Sequence, residues 1–222
     1  MNEKLEHIKS LDFFKSLNAK ELKCISDISV ISKHKRNTIL YYEDDSYEKI
    51  FFLVSGLLKM YKIDKFDNEI FLYHIYENSL ISELTTLNND SIYCFSNAEF
   101  MENSIIVEVD FSRLKKEFLS KNILNNEFIN EILLKTQQLH CVVNRELVFD
   151  ATAKVAYMLK DDLTMFNKLK RQEVSFMLHI QPETLSRVLK KLKRSKIIDL
   201  EHSKIIILDK EALIATYKGE NT

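Results

Sequence analysis

Between Arg171 and Leu192 the chain reads Arg-Gln-Glu-Val-Ser-Phe-Met-Leu-His-Ile-Gln-Pro-Glu-Thr-Leu-Ser-Arg-Val-Leu-Lys-Lys-Leu. The second half of this segment carries side chains that could read a nucleic-acid duplex. Arg187 can donate two hydrogen bonds to O6 and N7 of a guanine, Glu183 can accept from the amino group of a cytosine, and Ser186 is short enough to approach a thymine or a phosphate. Thr184, Lys190, Lys191, Lys193 and Arg194 supply contacts to phosphate, which give affinity with little sequence choice. The competing interpretation is a plain surface ion pair, because Glu183 and Arg187 stand four residues apart on a helix.

Side chains can be offered to a groove only from a helix whose opposite face is buried. The first helix expected here, Lys170–Leu178, buries Val174, Met177 and Leu178. Ile180 marks a turn, and Pro182 suits the first position of the next helix, where its missing N–H costs nothing. Leu185, Val188, Leu189 and Leu192 form the buried face of that second helix. Glu183, Ser186, Arg187 and Lys190 fall on the other side, where a recognition helix presents side chains to the major groove. Ile197–Leu200 and Lys204–Leu208, separated by Glu201-His202-Ser203, read as a β-hairpin. Two helices and a hairpin make a winged helix-turn-helix, and in that setting base reading is favoured over the surface ion pair.

Charge points the same way. The formal net charge of the 222 residues is −1, yet Lys168–Lys196 holds nine cations against two anions. A basic segment of +7 in a chain otherwise at −8 suggests a nucleic-acid surface at one end.

Upstream, Asn18-Ala-Lys-Glu21 predicts a capped helix N-terminus. From about residue 30 to 110 the pattern becomes β-like, with short aromatic and β-branched runs at Ile39–Tyr42, Ile50–Val54, Leu57–Tyr61, Ile70–Ile75 and Ile105–Val109. Only two glycines and one proline occur. Asn37, Asp44-Asp45, Asp67-Asn68, Asn78 and Asn88-Asn89-Asp90 are therefore read as the turns, since Asn and Asp tolerate positive φ. This predicts a sandwich or jelly roll. Phe111, Leu114, Phe118 and Leu119 suit a short helix. Phe128, Ile129, Ile132, Leu133, Thr136, Leu139, His140, Val143 and Leu147 then recur at three- and four-residue steps. So long a seam implies a partner, either a second copy across a two-fold axis or the chain's own barrel, with the dimer favoured.

Gln181-Pro-Glu183-Thr-Leu-Ser186-Arg187-Val-Leu-Lys-Lys-Leu resembles the E-T-x-S-R recognition helix in the FNR branch of the CRP/FNR regulators. Further likenesses lie in Phe13–Leu17 (the N-terminal helix), Phe51–Tyr61 around Gly56 (a barrel strand pair), Ser82-Glu83-Leu84 (the G-E position) and Phe149–Ala156 (the hinge). The resemblance implies an α+β fold with an N-terminal jelly-roll β-barrel like that of cyclic-nucleotide-binding domains, a long dimerisation helix and a C-terminal winged helix-turn-helix. The expected boundaries are 1–110 for the sensor barrel, 111–149 for the dimer helix region and 150–222 for the DNA-binding domain. A homodimer would bind double-stranded DNA at an inverted repeat of TTGA-like half-sites through Glu183, Ser186 and Arg187. RNA polymerase is the further partner implied, as for an activator. His179 stands where the family usually has the glycine of the turn, and a structural role is expected of it.

The sensor is less legible. Cyclic-AMP-binding members hold the phosphate with an arginine-serine pair, whereas Asp90–Asn97 here contains no Arg or Lys. A buried phosphate without a cation is poorly compensated, which argues against cyclic AMP. Three cysteines, Cys24, Cys94 and Cys141, cannot supply a four-cysteine iron–sulfur cluster, and the N-terminal cysteine cluster of oxygen-sensing members is absent. The effector pocket is placed at Glu83, Tyr93, Cys94, Leu139 and His140. The barrel binds haem, a small organic or apolar effector, or nothing; His74 and His140 are the haem-ligand candidates. Cys94 and Cys141 are the candidates for a redox signal, although nothing basic adjoins them in sequence to lower a thiol pKa.

No metal site is expected. A cupin-type enzyme would need clustered His and carboxylate ligands, and only His74 and Glu83 lie in suitable barrel positions. Two glycines cannot build a P-loop or a nucleophile elbow, so no enzyme is expected. No run of about 20 apolar residues is present to span a membrane, and no secretory signal is visible, so a cytoplasmic protein is expected.

Overall fold

A computed structural model of the chain describes residues 3–84, 86–202 and 204–219. The chain divides into two compact units, Met1–Gln138 and Leu139–Thr222.

The first unit opens with α1 (Glu3–Ser10), a 3-10 turn at Asp12–Phe14 and α2 (Ala19–Asp27). The cap of α2 is reciprocal. Asn18 accepts from the N–H groups of Lys20 and Glu21 at 3.0 and 3.1 Å, and the Glu21 carboxylate accepts from the Asn18 N–H at 2.8 Å. Two antiparallel four-stranded sheets follow. One runs in the order β1 (Ser29–His34), β10 (Ser104–Asp110), β4 (Lys49–Ser55), β7 (Ser79–Leu80). The other runs β2 (Ile39–Tyr41), β9 (Asn97–Phe100), β5 (Leu57–Ile63), β6 (Glu69–Tyr76). A ribbon pairs β3 (Ser46–Tyr47) with β8 (Ile92–Tyr93).

Burial explains the sequence of these strands. Phe51, Leu53 and Ile106 of the first sheet share one core with Leu58, Met60, Ile75, Ala98 and Phe100 of the second. Ile50, Phe52, Val107 and Val109, on the other face of the first sheet, pack with Phe13, Phe14, Ile25, Phe111 and Leu114. With both faces of β4 covered, its run Ile50–Val54 is apolar at consecutive positions instead of alternating. On the outer face of the second sheet the Lys59 ammonium sits 2.8 Å from Glu69 and 2.9 Å from Glu99.

The expected turns at Asn37, Asp44, Asp67 and Asn78 all have positive φ, between 61° and 72°, so Asn and Asp supply there the conformation that glycine usually supplies. Gly56, between β4 and β5, has φ 106°, and an added Cβ would overlap Ser104. Gly56→Ala is therefore expected to destabilise this unit by about 1–3 kcal/mol. Urea unfolding followed by circular dichroism would show it, and an unchanged midpoint would contradict the strain.

After α3 (Phe111–Glu117), α4 (Asn125–Val143) continues into a π-helical turn, Asn144–Val148. Ile129, Leu133, Val143 and Leu147 of the expected seam are exposed, Leu133 by 54% and Leu147 by 80%. Together with Thr136 and His140 they recur with the four-three spacing of a paired helix. Within a single chain this stripe has no cover.

The second unit holds α5 (Ala151–Asp161), α6 (Leu163–Lys168), α7 (Arg171–Met177), α8 (Pro182–Arg194), the hairpin β11 (Ile198–Glu201) and β12 (Lys204–Ile207), and α9 (Lys210–Lys218). Ser203 of the expected hairpin turn lies outside the described residues. Val155, Leu159, Phe166, Val174, Leu185, Val188, Leu192, Ile198, Ile205 and Leu213 are buried. The Asn167 side chain joins α6 to the wing, donating to the Ile205 carbonyl at 2.9 Å and accepting from its N–H at 2.7 Å. Among the described residues no helix is long and apolar enough to cross a membrane.

Candidate nucleic-acid interface

The turn between α7 and α8 is built by local backbone bonds. The N–H groups of Leu178, His179 and Ile180 donate to the carbonyls of Val174, Phe176 and Ser175, each at 3.0 Å. His179 has φ 50° and takes the left-handed conformation expected of it. Gln181 is extended and caps α8, with Pro182 at its first turn. Leu185, Val188 and Leu192 anchor the inner face of α8, and Leu189 is half-buried. On α7, Val174 and Leu178 are buried as expected, whereas Met177 is half-buried and Ser175 fills the third buried place.

With that face fixed, Glu183, Ser186, Arg187, Lys190, Lys191 and Arg194 line one shallow, open depression along the exposed side of α8. Among the described residues, neither Glu183 nor Arg187 has an ion-pair partner within 4 Å, so the mutual pair of the competing interpretation is not formed. Both groups therefore keep their hydrogen-bonding capacity for a ligand. Glu183 sits in the first turn of α8, while Lys191, Lys193 and Arg194 crowd its last turn, where the helix dipole favours cations.

Lys193 and Arg171, both among the cations counted in sequence, are engaged elsewhere. The Lys193 ammonium is 2.7 Å from Asp199 of the wing and holds that carboxyl below its usual range. The Arg171 guanidinium lies 4.8 Å from the Phe166 ring centroid, inside the unit rather than on its face. Thr184 is half-buried beside the open face. Sequence reasoning missed an apolar patch on α7: Phe176, 47% exposed, lines a second depression with Ile180 and Pro182.

The proposed effector residues are less uniform. The Glu83 carboxylate accepts from the Phe95 N–H at 2.9 Å and from the Ser96 hydroxyl at 3.0 Å. Tyr93 is exposed, and its hydroxyl donates to Asp44. Cys94 is buried; desolvation, then the charges of Glu83 and Asp45, push its thiol up to about 12. It is protonated at neutral pH and a poor redox nucleophile. Leu139 and His140 are exposed on α4. Cys141 lies 3.0 Å from the Tyr157 hydroxyl.

His74 pairs across the sheet with Lys59 and packs its ring 4.9 Å from Phe71. Directly opposed residues share a face, so His74 lies on the side of Lys59, away from the inter-sheet core that holds Leu58 and Met60.

One cation was missed by reading only the strands. The Lys135 ammonium of α4 is desolvated against the first unit, 3.4 Å from the Ile81 carbonyl and 5.8 Å from the Tyr73 ring. Desolvation lowers its pKa to about 8, opposed by Glu83 and Glu131. The Tyr41 hydroxyl is buried without a partner nearby in the same unit. The lack of Arg and Lys in Asp90–Asn97 therefore does not leave this unit without a buried cation.

Comparison with known proteins came to the same places. Residues 154–216 match the family model described as a Crp-like helix-turn-helix domain. A global nitrogen regulator of Synechococcus elongatus is 23% identical over 196 residues, covering 82% of this chain and 87% of that protein. A mutant of CooA from Carboxydothermus hydrogenoformans superposes with a TM-score of 0.71 at 16% identity, covering 92% of this chain and 93% of the other. FixK2 from Bradyrhizobium japonicum superposes at 0.67, also at 16% identity, covering 85% of this chain and 97% of that one. These structural likenesses extend over both units.

Proposed function

We infer that this chain, a transcription regulator of the CRP/FNR superfamily and not an enzyme, reads DNA through α8. As a homodimer it binds an inverted repeat of TTGA-like half-sites. Glu183, Ser186 and Arg187 read base edges, and Thr184, Lys190, Lys191 and Arg194 hold phosphates. Lys193 joins them only by giving up Asp199. The single observation that carries this is the open face of α8, where Glu183 and Arg187 stand unpaired among basic neighbours while Leu185, Val188 and Leu192 anchor the helix.

The stripe on α4 supplies the dimer contact, and α4 relays a signal from the first unit. An effector there shifts the population of two dimer arrangements and so the spacing of the recognition helices. Glu83, Lys135 and the buried Tyr41 hydroxyl favour a small polar effector over haem at His74, whose ring is turned away from the inter-sheet core. RNA polymerase is the partner at promoters.

Salt titration tests the DNA reading. Affinity for a TTGA inverted repeat should fall linearly in log–log form, by about 0.9 per phosphate neutralised. Lys190→Ala should make that slope shallower by about 2 in a dimer, one contact per protomer, with little change in sequence preference. Salt-independent association would overturn the assignment.

A further inference from the structure

One polar group with several partners in the second unit is not on α8. It is Glu146, in the π-helical turn Asn144–Val148 that follows α4. Its Oε2 accepts from Nδ1 of His179 at 2.8 Å, and its Oε1 accepts from Nε of Arg145 at 2.6 Å. The Lys154 ammonium of α5 lies 3.7 Å from it. Burial would raise the Glu146 carboxyl, but hydrogen bonds from Arg145 and His179 and their charges more than offset this and hold it below the ordinary range. The Arg145 and Lys154 side chains are only 13% and 11% exposed, while the Glu146 carboxylate itself keeps 29% of its side-chain surface open.

The partner side of this contact matters. His179 occupies the left-handed position of the turn from which α8 starts, three residues before Pro182. An ionised carboxylate only accepts, so Nδ1 must carry the proton. Nε2 of the same ring is buried with no partner. The ring is thus held by a single directional bond, to a residue at the end of the long helix. A side-chain bond of this kind fixes the turn to the π-helical segment, and α8 begins at that turn.

We propose that Glu146 and His179 form a tie between the end of the long helix and the helix-turn-helix, which positions α8 for the two-site reading of an inverted repeat. Both are positioning residues and touch no base. The tie rests on the DNA-reading function proposed above. It adds the route by which a movement of the long helix reaches the recognition helix.

The test uses the full chain and three duplexes: an inverted TTGA repeat, a single TTGA half-site and a shuffled sequence. His179→Asn keeps a residue that tolerates positive φ and removes the bond; Glu146→Ala removes its other half; Glu146→Gln retains an acceptor oxygen. In His179→Asn and Glu146→Ala, affinity for the repeat should fall about three- to thirtyfold, with single-site and shuffled affinities unchanged. The double variant should lose no more than either single one, and Glu146→Gln should recover most of the loss. In nitrogen-detected NMR, His179 of the natural chain should show the Nδ1–H tautomer, which should be lost in Glu146→Ala. Equal losses on all three duplexes, additive losses, or an Nε2–H tautomer in the natural chain would each overturn the tie. A natural chain that does not prefer the repeat over the shuffled duplex would overturn the DNA reading and the tie with it, a result distinguished by its appearance before any substitution.

Discussion

Arg187→Ala should weaken binding to a TTGA inverted repeat by about 1–3 kcal/mol per half-site and relax the choice at one base pair of each. The size follows from what the side chain is doing before it meets DNA. Arg187 is exposed and has no ion-pair partner among the described residues, so little is lost within the protein when it is removed. The cost is the bidentate pair to guanine, whose acceptors are left unmatched. On random DNA the loss should be only that of one cation near phosphates, a small change carried mainly in the salt slope. Competitive binding against single-base variants of the repeat is the measurement. Equal losses on specific and random duplexes would mean that Arg187 is one more phosphate contact and that the readout lies elsewhere on α8.

Leu133→Asp should act on association of the protomers and not on base choice. Leu133 is 54% exposed in the single chain, so the substitution removes little packing within the protomer. In a pair of facing helices it would bring two carboxylates together in an apolar seam, where desolvation and like-charge repulsion both oppose association. The variant is expected to sediment as a monomer at micromolar concentration while keeping the helical circular dichroism of the natural chain. Its affinity for the inverted repeat should fall about a hundredfold or more, toward the non-specific level, because only one half-site is engaged at a time. A variant that stays dimeric would show that the stripe is not the dimer seam.

Several parts were readable directly from residues. The capping box at Asn18 and Glu21 needs only local bonds, and it forms as the spacing indicates. The Asn and Asp turns are equally local, since each residue's own side chain and backbone set the φ value. The two faces of α8 follow from the 3.6-residue period, which sorts Leu185, Val188 and Leu192 from Glu183, Ser186 and Arg187 with no knowledge of the rest of the fold.

Other parts were not readable. β9, Asn97-Ala-Glu-Phe100, has a composition unlike a strand; it is held in place by pairing with β5 on one side and β2 on the other. β1, Ser29–His34, carries Ser, Lys and His and is a strand because β10 offers it an edge. Those partners lie 36 to 80 residues away in the chain (Tyr61 to Asn97, Ser29 to Val109) and leave no mark in a short window.

The candidate site shows the same division. Its chemistry was set by the order of the residues, because a helix places residues four apart on one face wherever it sits. Which cations remain available was set by packing. Lys193 is taken by Asp199 and Arg171 by Phe166, and Lys135 becomes a buried charge because α4 lies against the first unit. The link from Glu146 to His179 joins residues 33 apart. Period and propensity are properties of neighbouring residues, so the sequence determined the helices, the turns and the exposed face of α8. Long-range pairing and charge compensation depend on which groups the fold brings within a few ångströms, and only the tertiary structure decided them.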